Sequence, residues 1–188
     1  GTEDKMSRVG IFLADGFEEI EALTVVDLLR RAKVYVDTVS ITDDYTVRGA
    51  HGIPVQTEDL ITEIDFKESD MIVLPGGMPG TTNLKEDENV RKAVQEAYDD
   101  GRYVAAICAA PTILADMGLL KGKRATCYPD MESEIEDAYL TGAPVATDEN
   151  IITSQGVGTA IDFALKLIEV LISEEKAVEI ADSIVYQR

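Results

Sequence analysis

The stretch SRVGIFLADGFEEIEAL, residues 7–23, decides how the rest of the chain is read. SRVGIFL (7–13) is a continuous apolar run of strand length, without the polar alternation of a sheet that has one wet face. ADGFEE follows as a loop, and apolar positions then recur at helical spacing over 18–32. A strand buried on both faces that feeds an amphipathic helix is the first half of a parallel βαβ unit. The pattern repeats along the chain. YVDTVSI (35–41), MIVLPGG (71–77), YVAAIC (103–108), RATCY (124–128) and NIITS (150–154) read as further strands. Helical patterns fall at 87–99, 111–117, 159–173 and 175–184, and VRGAHGIPVQTE (47–58) reads as a small β excursion. The expected fold is α/β: one domain over 6–188, with a mostly parallel sheet covered on both faces.

With 188 residues, 45% of them hydrophobic, the chain can fill one sizeable core. Its 36 acidic against 17 basic residues give a net charge of −19, which repels phosphate backbones and anionic bilayers. Neither nucleic acid nor membrane is expected as a partner. No apolar run is long enough to span a bilayer, and the start has no charged and apolar leader, so a cytoplasmic location is expected. The five residues before Met6 read as a remnant outside the fold. Two cysteines, Cys108 and Cys127, and a single histidine, His51, offer neither a disulfide framework nor zinc spacing. The GVG of SQGVGT lacks the rest of a dinucleotide fingerprint, and PGGMPGTTN lacks the GK[ST] of a phosphate loop. No metal or cofactor is expected.

Ligands of open parallel sheets sit beyond the carboxyl ends of the strands. Three strands here end in unusual loops, ADGFEE, PGGMPGTTN and CAAPT, so the site is placed among them. On the first helix, Glu21, Val25, Leu28 and Ala32 share one stripe, with Ala22 and Leu29 beside it and Arg30 and Arg31 off it. Glu21 therefore falls on the face meant for the core. One reading makes it a buried acid of raised pKa, able to give or take a proton near neutrality. The other leaves the helix start exposed, with Glu18, Glu19 and Glu21 merely suiting the helix dipole. Leu23 and Val26 fall on the opposite, charged face and suggest a subunit interface. Helix 159–173 reads as core-facing through Ile161, Ala164, Leu165, Ile168, Leu171 and Ile172.

Cys108 lies where a strand gives way to a helix that begins near Pro111. The small residues Ala109 and Ala110 permit a tight turn, and the helix N-terminus is expected to lower the thiol pKa. The Ala109 N–H, with one from Gly76 or Gly77, could cradle an oxyanion. The competing reading is a buried cysteine acting as a small hydrophobe. Cys127 reads as a reduced core residue, and His51 as non-catalytic within its own chain.

RVGIFLADGFEEIEAL, MIVLPGGMPGTTNL, AAICAAPTILA and ITSQGVGTAIDFALKLIE, in that order, resemble the ThiJ/PfpI superfamily, in the branch of the parkinsonism-associated deglycase. The resemblance implies a flavodoxin-like three-layer sandwich, a homodimer, and a reactive cysteine hydrogen-bonded to a protonated glutamate of the first helix. It assigns the nucleophile to Cys108, the acid to Glu21, the oxyanion donors to Gly77 and Ala109, and the loop acid to Glu18. Two departures bear on chemistry. Ala109 stands where the protease branch has histidine, which argues against a peptidase. Tyr128 stands where the deglycase branch often has histidine, and a phenol is a poor base at pH 7. The implied activity is a cofactor-free attack on small dicarbonyl substrates or glycated adducts, of glyoxalase III or deglycase type. Peroxide sensing through Cys108 is the alternative. A hydrolase or amidase that borrows a histidine across a dimer is a third reading.

Overall fold

The computed structural model describes residues 6–187; the remnant 1–5 and Arg188 lie outside the described residues. β1 (Arg8–Leu13) leads into α1 (Glu19–Arg31) and β2 (Tyr35–Ser40). The hairpin β3 (Thr46–Arg48) and β4 (Pro54–Gln56) and the short β5 (Asp59–Leu60) come next. The chain continues through β6 (Met71–Leu74), α2 (Gly80–Glu86), α3 (Glu88–Asp99), β7 (Tyr103–Ile107) and α4 (Pro111–Asp116). β8 (Arg124–Ala125) and β9 (Tyr139–Leu140) precede β10 (Val145–Asp148), β11 (Ile151–Ser154), α5 (Ala160–Leu171) and α6 (Glu174–Ser183).

Seven strands form the central sheet in the order β10-β11-β7-β6-β1-β2-β5, parallel except for the antiparallel edge pair β10–β11. Alternation along each strand fills two separate cores. Val9, Ile11 and Leu13 of β1, Met71 and Val73 of β6, and Ala105 and Ile107 of β7 join the apolar faces of α1 and α5. Phe12, Ile72, Leu74, Val104 and Ala106 point the other way, onto Leu84, α3 and α4. A sheet apolar on both faces and clad by helices is the three-layer sandwich the apolar strands demand.

The stripe on α1 is buried as expected, with Glu21, Ala22, Val25 and Leu29 all fully inaccessible. Other expectations need correction. RATCY supplies only the two residues of β8, which pair with β9 in a separate ladder outside the main sheet. MIVLPGG is strand only as far as Leu74, because Pro75 has no N–H to donate. Val26 is buried, not exposed, since the β3–β4 hairpin brings Val47 and Val55 into the same apolar cluster. Leu23 remains exposed, joined by Ile20, Ile53 and Ile161. Ile161 and Ile172 thus fall off the core face of α5, which is built from Ala160, Phe163, Ala164, Leu167 and Ile168. Among the described residues no helix is long and apolar enough to cross a membrane.

Candidate active site

Three neighbouring strands, β1, β6 and β7, deliver their carboxyl-terminal loops to one point. The loops are tied together by backbone hydrogen bonds from Glu18 N–H to Gly76 O (2.9 Å) and from Gly80 N–H to Gly16 O (3.2 Å). The hairpin is fastened to the same place through Gly16 N–H to Arg48 O (2.8 Å) and Ala50 N–H to Phe17 O (2.7 Å).

Cys108 sits at the turn after β7 with φ +66°, the left-handed region that non-glycine residues seldom occupy. Such a conformation costs ~1–3 kcal/mol and persists only where neighbours over-determine it. Here both backbone groups are clamped: Cys108 N–H donates to Ser154 O (3.0 Å), and Tyr128 N–H donates to Cys108 O (2.8 Å). The sharp turn holds the thiol half-buried above the sheet, as in a nucleophile elbow.

Glu21 projects from α1 into the same space and is completely buried. Its Oε1 accepts a hydrogen bond from Gly76 N–H at 3.0 Å. Its Oε2 is equally buried and has no hydrogen-bond partner of good geometry; the Cys108 thiol is the group beside it. Gly76 is required here, because a Cβ would lie 2.7 Å from both Cys108 Cβ and Glu21 Oε1. Gly77 has φ +94°, and a Cβ there would meet Glu18 N at 2.4 Å. The Gly76 N–H is thus engaged by Glu21, which leaves Gly77 and Ala109 as the sequence-derived donors free of that engagement.

Burial raises the Glu21 carboxyl from 4.5 to about 7, against the thiol and the Gly76 N–H, which lower it. The thiol is pushed from 9.0 up to about 12, first by burial, then by the charge of Glu21 and the hydrogen bond with it, while the Ala109 N–H opposes. This reverses the expectation of a lowered thiol pKa. α4 is only six residues long and has no side-chain cap, so its dipole is outweighed by desolvation and the facing carboxylate.

Glu18 caps α1, its side chain accepting from the Ile20 and Glu21 N–H groups. Glu19 is held by the N–H groups of His51 (2.9 Å) and Ile53 (3.2 Å) and by His51 Nδ1 at 3.0 Å. His51 Nδ1 also lies 3.2 Å from Glu18 Oε1. Ligand atoms of Glu18, Glu19 and His51 fall within 4.8 Å of one another, among the described residues the one grouping with metal-ligand spacing. Its carboxylate oxygens already carry backbone hydrogen bonds, and these 32 residues of separation hid it from sequence reasoning. Cys127 is buried, as expected. Tyr128 is 42% exposed, and its ring stands across from Gly156, the first glycine of the GVG that reads in the sequence only as an incomplete dinucleotide fingerprint.

A flavodoxin-like sandwich with a cysteine at a strained strand-to-helix turn and a buried acid facing it defines the class. The chain belongs to the DJ-1/PfpI family, whose pattern matches residues 7–170. It is 39% identical over 180 residues to protein DJ-1 homolog B of Arabidopsis thaliana, covering 95% of this chain and 41% of that protein, so it spans about two fifths of that relative. It is 34% identical to the glutathione-independent glyoxalase DJ-1 of Schizosaccharomyces pombe, over 91% of this chain and 94% of that one. The crystal structure of Drosophila melanogaster DJ-1beta superposes with a TM-score of 0.94 at 33% identity, over 98% of this chain and all of that one.

Proposed function

We infer that the protein is a cofactor-independent cysteine enzyme acting on reactive dicarbonyls or glycated adducts, of glyoxalase III or deglycase type. The observation that carries this reading is the fully buried carboxyl of Glu21 beside the Cys108 thiol, its Oε2 without a hydrogen bond of good geometry to any other group. Family membership, and the glyoxalase name of the fission-yeast relative, support it.

A resting thiol of high pKa next to a carboxylate titrating near 7 suits a concerted first step. As the sulfur adds to the aldehyde carbon of methylglyoxal, Glu21 takes the thiol proton and returns it to the new alkoxide, giving a hemithioacetal. The Gly77 and Ala109 N–H groups stabilise the oxyanion as it forms. Glu21 then removes the proton from the sulfur-bearing carbon to give an enediol and delivers it to the adjacent carbon, leaving a thioester of a hydroxy acid. Water cleaves the thioester, releasing lactate and restoring the thiol. The net change is addition of one water, with no external oxidant or reductant. Tyr128 closes the pocket and is not needed as a base. Lactate formation from methylglyoxal should be lost in Cys108→Ser; equal rates in the two proteins would sink the mechanism.

A second reading, peroxide sensing, draws on the same buried Oε2 beside the thiol, which in its protonated form would donate to a Cys108 sulfinate. Intact mass after mild peroxide should then show oxygen added at Cys108 and not at the buried Cys127. We also propose a homodimer formed through the exposed Ile20, Leu23, Ile53 and Ile161 around α1. Light scattering of Leu23→Glu should report a monomer against a wild-type dimer.

A further inference from the structure

We propose that Gly156 is the specificity-determining residue of this pocket: the side chain it lacks leaves a methyl-sized space, bounded by Cys108, Glu21 and Tyr128, that receives the group borne by the second carbon of the adduct, next to the one bonded to sulfur. The space is a feature of the chain itself; the chemical class of its occupant, a short α-oxoaldehyde, rests on the reading above.

Gly156 opens the 3₁₀ turn Val157–Thr159 after β11. A Cβ placed on it would lie 3.8 Å from Cys108 Sγ, 3.9 Å from Tyr128 Cδ2 and 4.0 Å from Glu21 Oε2. One atom position therefore touches the nucleophile, the acid and the aromatic wall together, all at ordinary contact distance. Nothing else there calls for glycine. The backbone is extended (φ 167°, ψ −163°), which any residue adopts, and no neighbour would have to move. Gly76 and Gly77 differ on that count, since a side chain at either would overlap backbone or the catalytic pair. The fold accepts alanine at 156; the empty space in front of the sulfur does not survive it.

The wall cannot retreat. Gly156 N–H donates to Thr159 Oγ1 (3.1 Å), and Thr159 N–H donates to Gly156 O (3.0 Å). Thr159 Oγ1 and Ser154 Oγ share a hydrogen bond at 2.7 Å, and Ser154 O holds the Cys108 N–H. The turn carrying Gly156 is thus fixed to the residue whose adduct it must admit. The carbon chain of an adduct on Sγ is directed toward this position, because the Gly76 side is closed by the backbone and Glu21. A hydrogen, methyl or hydroxymethyl on that second carbon fits; a branched or aromatic group meets the Gly156 backbone and the Tyr128 ring.

The test is Gly156→Ala with two independent readouts. Alkylation of Cys108 by iodoacetamide and by the bulkier N-phenyliodoacetamide, followed by peptide mass, needs no turnover. Turnover of glyoxal and methylglyoxal needs the dicarbonyl reading as well. One extra carbon in a closed pocket changes discrimination by about 10- to 200-fold. The variant should melt within ~2 °C of wild type, with its bulky-to-small alkylation ratio and its methylglyoxal-to-glyoxal preference each reduced at least ~10-fold. Wild type without turnover but with an altered alkylation ratio in the variant would retire the dicarbonyl reading and uphold the subsite. Unchanged ratios, an unchanged aldehyde preference in an active variant, or a variant that does not fold would each overturn it.

Discussion

Glu21→Gln separates the energetic consequence of the buried acid from its chemistry. In the unfolded chain the carboxyl titrates at 4.5, and in the folded protein at about 7. Between those values the folded state holds a proton that the unfolded state has released, so stability falls as pH rises across that window. Above it the full cost of a buried carboxylate is in force. The gap between 4.5 and about 7, at ~1.36 kcal/mol per pH unit, amounts to ~3 kcal/mol. Glutamine keeps a carbonyl oxygen for the Gly76 N–H and never ionises, so it escapes this term. Titrating groups not coupled to Glu21 are common to both proteins and cancel in the comparison, and the coupled Cys108 thiol, pushed up to about 12 in wild type, stays protonated there at both pH values. At pH 5 roughly a quarter of the Glu21 cost is already in force, which leaves ~2.5 kcal/mol between pH 5 and pH 8. A domain of this size shifts by ~2–4 °C per kcal/mol, so the melting difference, variant minus wild type, should be ~5–10 °C larger at pH 8 than at pH 5. Thermal unfolding by circular dichroism at the two pH values measures it directly. A difference equal at both values would refute the claim that Glu21 is a buried carboxyl of raised pKa. In the same variant the Cys108 alkylation rate should reach its midpoint at lower pH, because the charge that pushes the thiol up is gone.

Gly76→Ala should lose ~3 kcal/mol or fail to fold, since its Cβ would overlap Cys108 Cβ, Glu21 Oε1 and Ile107 O, at 2.7, 2.7 and 2.9 Å; a urea midpoint matching wild type would contradict the packing of the pair. Glu19→Gln should lower the His51 pKa toward 6.5, because the hydrogen bond and charge of Glu19 are what raise it; a ring-proton NMR titration reads this, and an unmoved pKa would mean that the pair does not form. The same titration checks the sign of the linkage, since a raised histidine pKa adds stability at low pH that is lost as pH rises through the folded value.

The parallel sheet was legible because the central strands β1, β6 and β7 are apolar on both faces, and in SRVGIFL and MIVL neither parity carries a charge in the core positions. Elements whose support is tertiary were not. α2 begins inside a glycine- and proline-rich stretch that reads as a loop, and it is anchored by few buried side chains, chiefly Leu84. β10 is an edge strand with only Ala146 fully buried, so its four residues carry no alternation strong enough to mark it. Val26 looked exposed because a helical wheel knows nothing of the hairpin that returns Val47 and Val55 to it. The site divides the same way. Periodicity put Glu21 on the core-side stripe of α1 but left open an exposed helix start; its pairing with Cys108 came through the family resemblance, and the Glu18–Glu19–His51 grouping, which depends on contacts between loops far apart in the chain, was not legible.

The sign of the thiol shift shows why local chemistry misled. A helix N-terminus stabilises a nearby anion by ~0.3–1 kcal/mol in ordinary settings. Burial of the sulfur and the facing carboxylate push the other way, and together they carry the thiol to about 12. The shift favours the thiol over a standing thiolate at Cys108, which is the form that the proposed proton transfer to Glu21 requires. That arrangement ties two costs to one purpose. The left-handed turn at Cys108 and the buried acid at Glu21 both destabilise the fold, and both are held by backbone hydrogen bonds from neighbouring strands and loops. Two costly features side by side, with Gly156 leaving the space before them open, are hard to explain by packing, for which alanine at 156, a hydrophobe at 21 and alanine at 108 would each serve better.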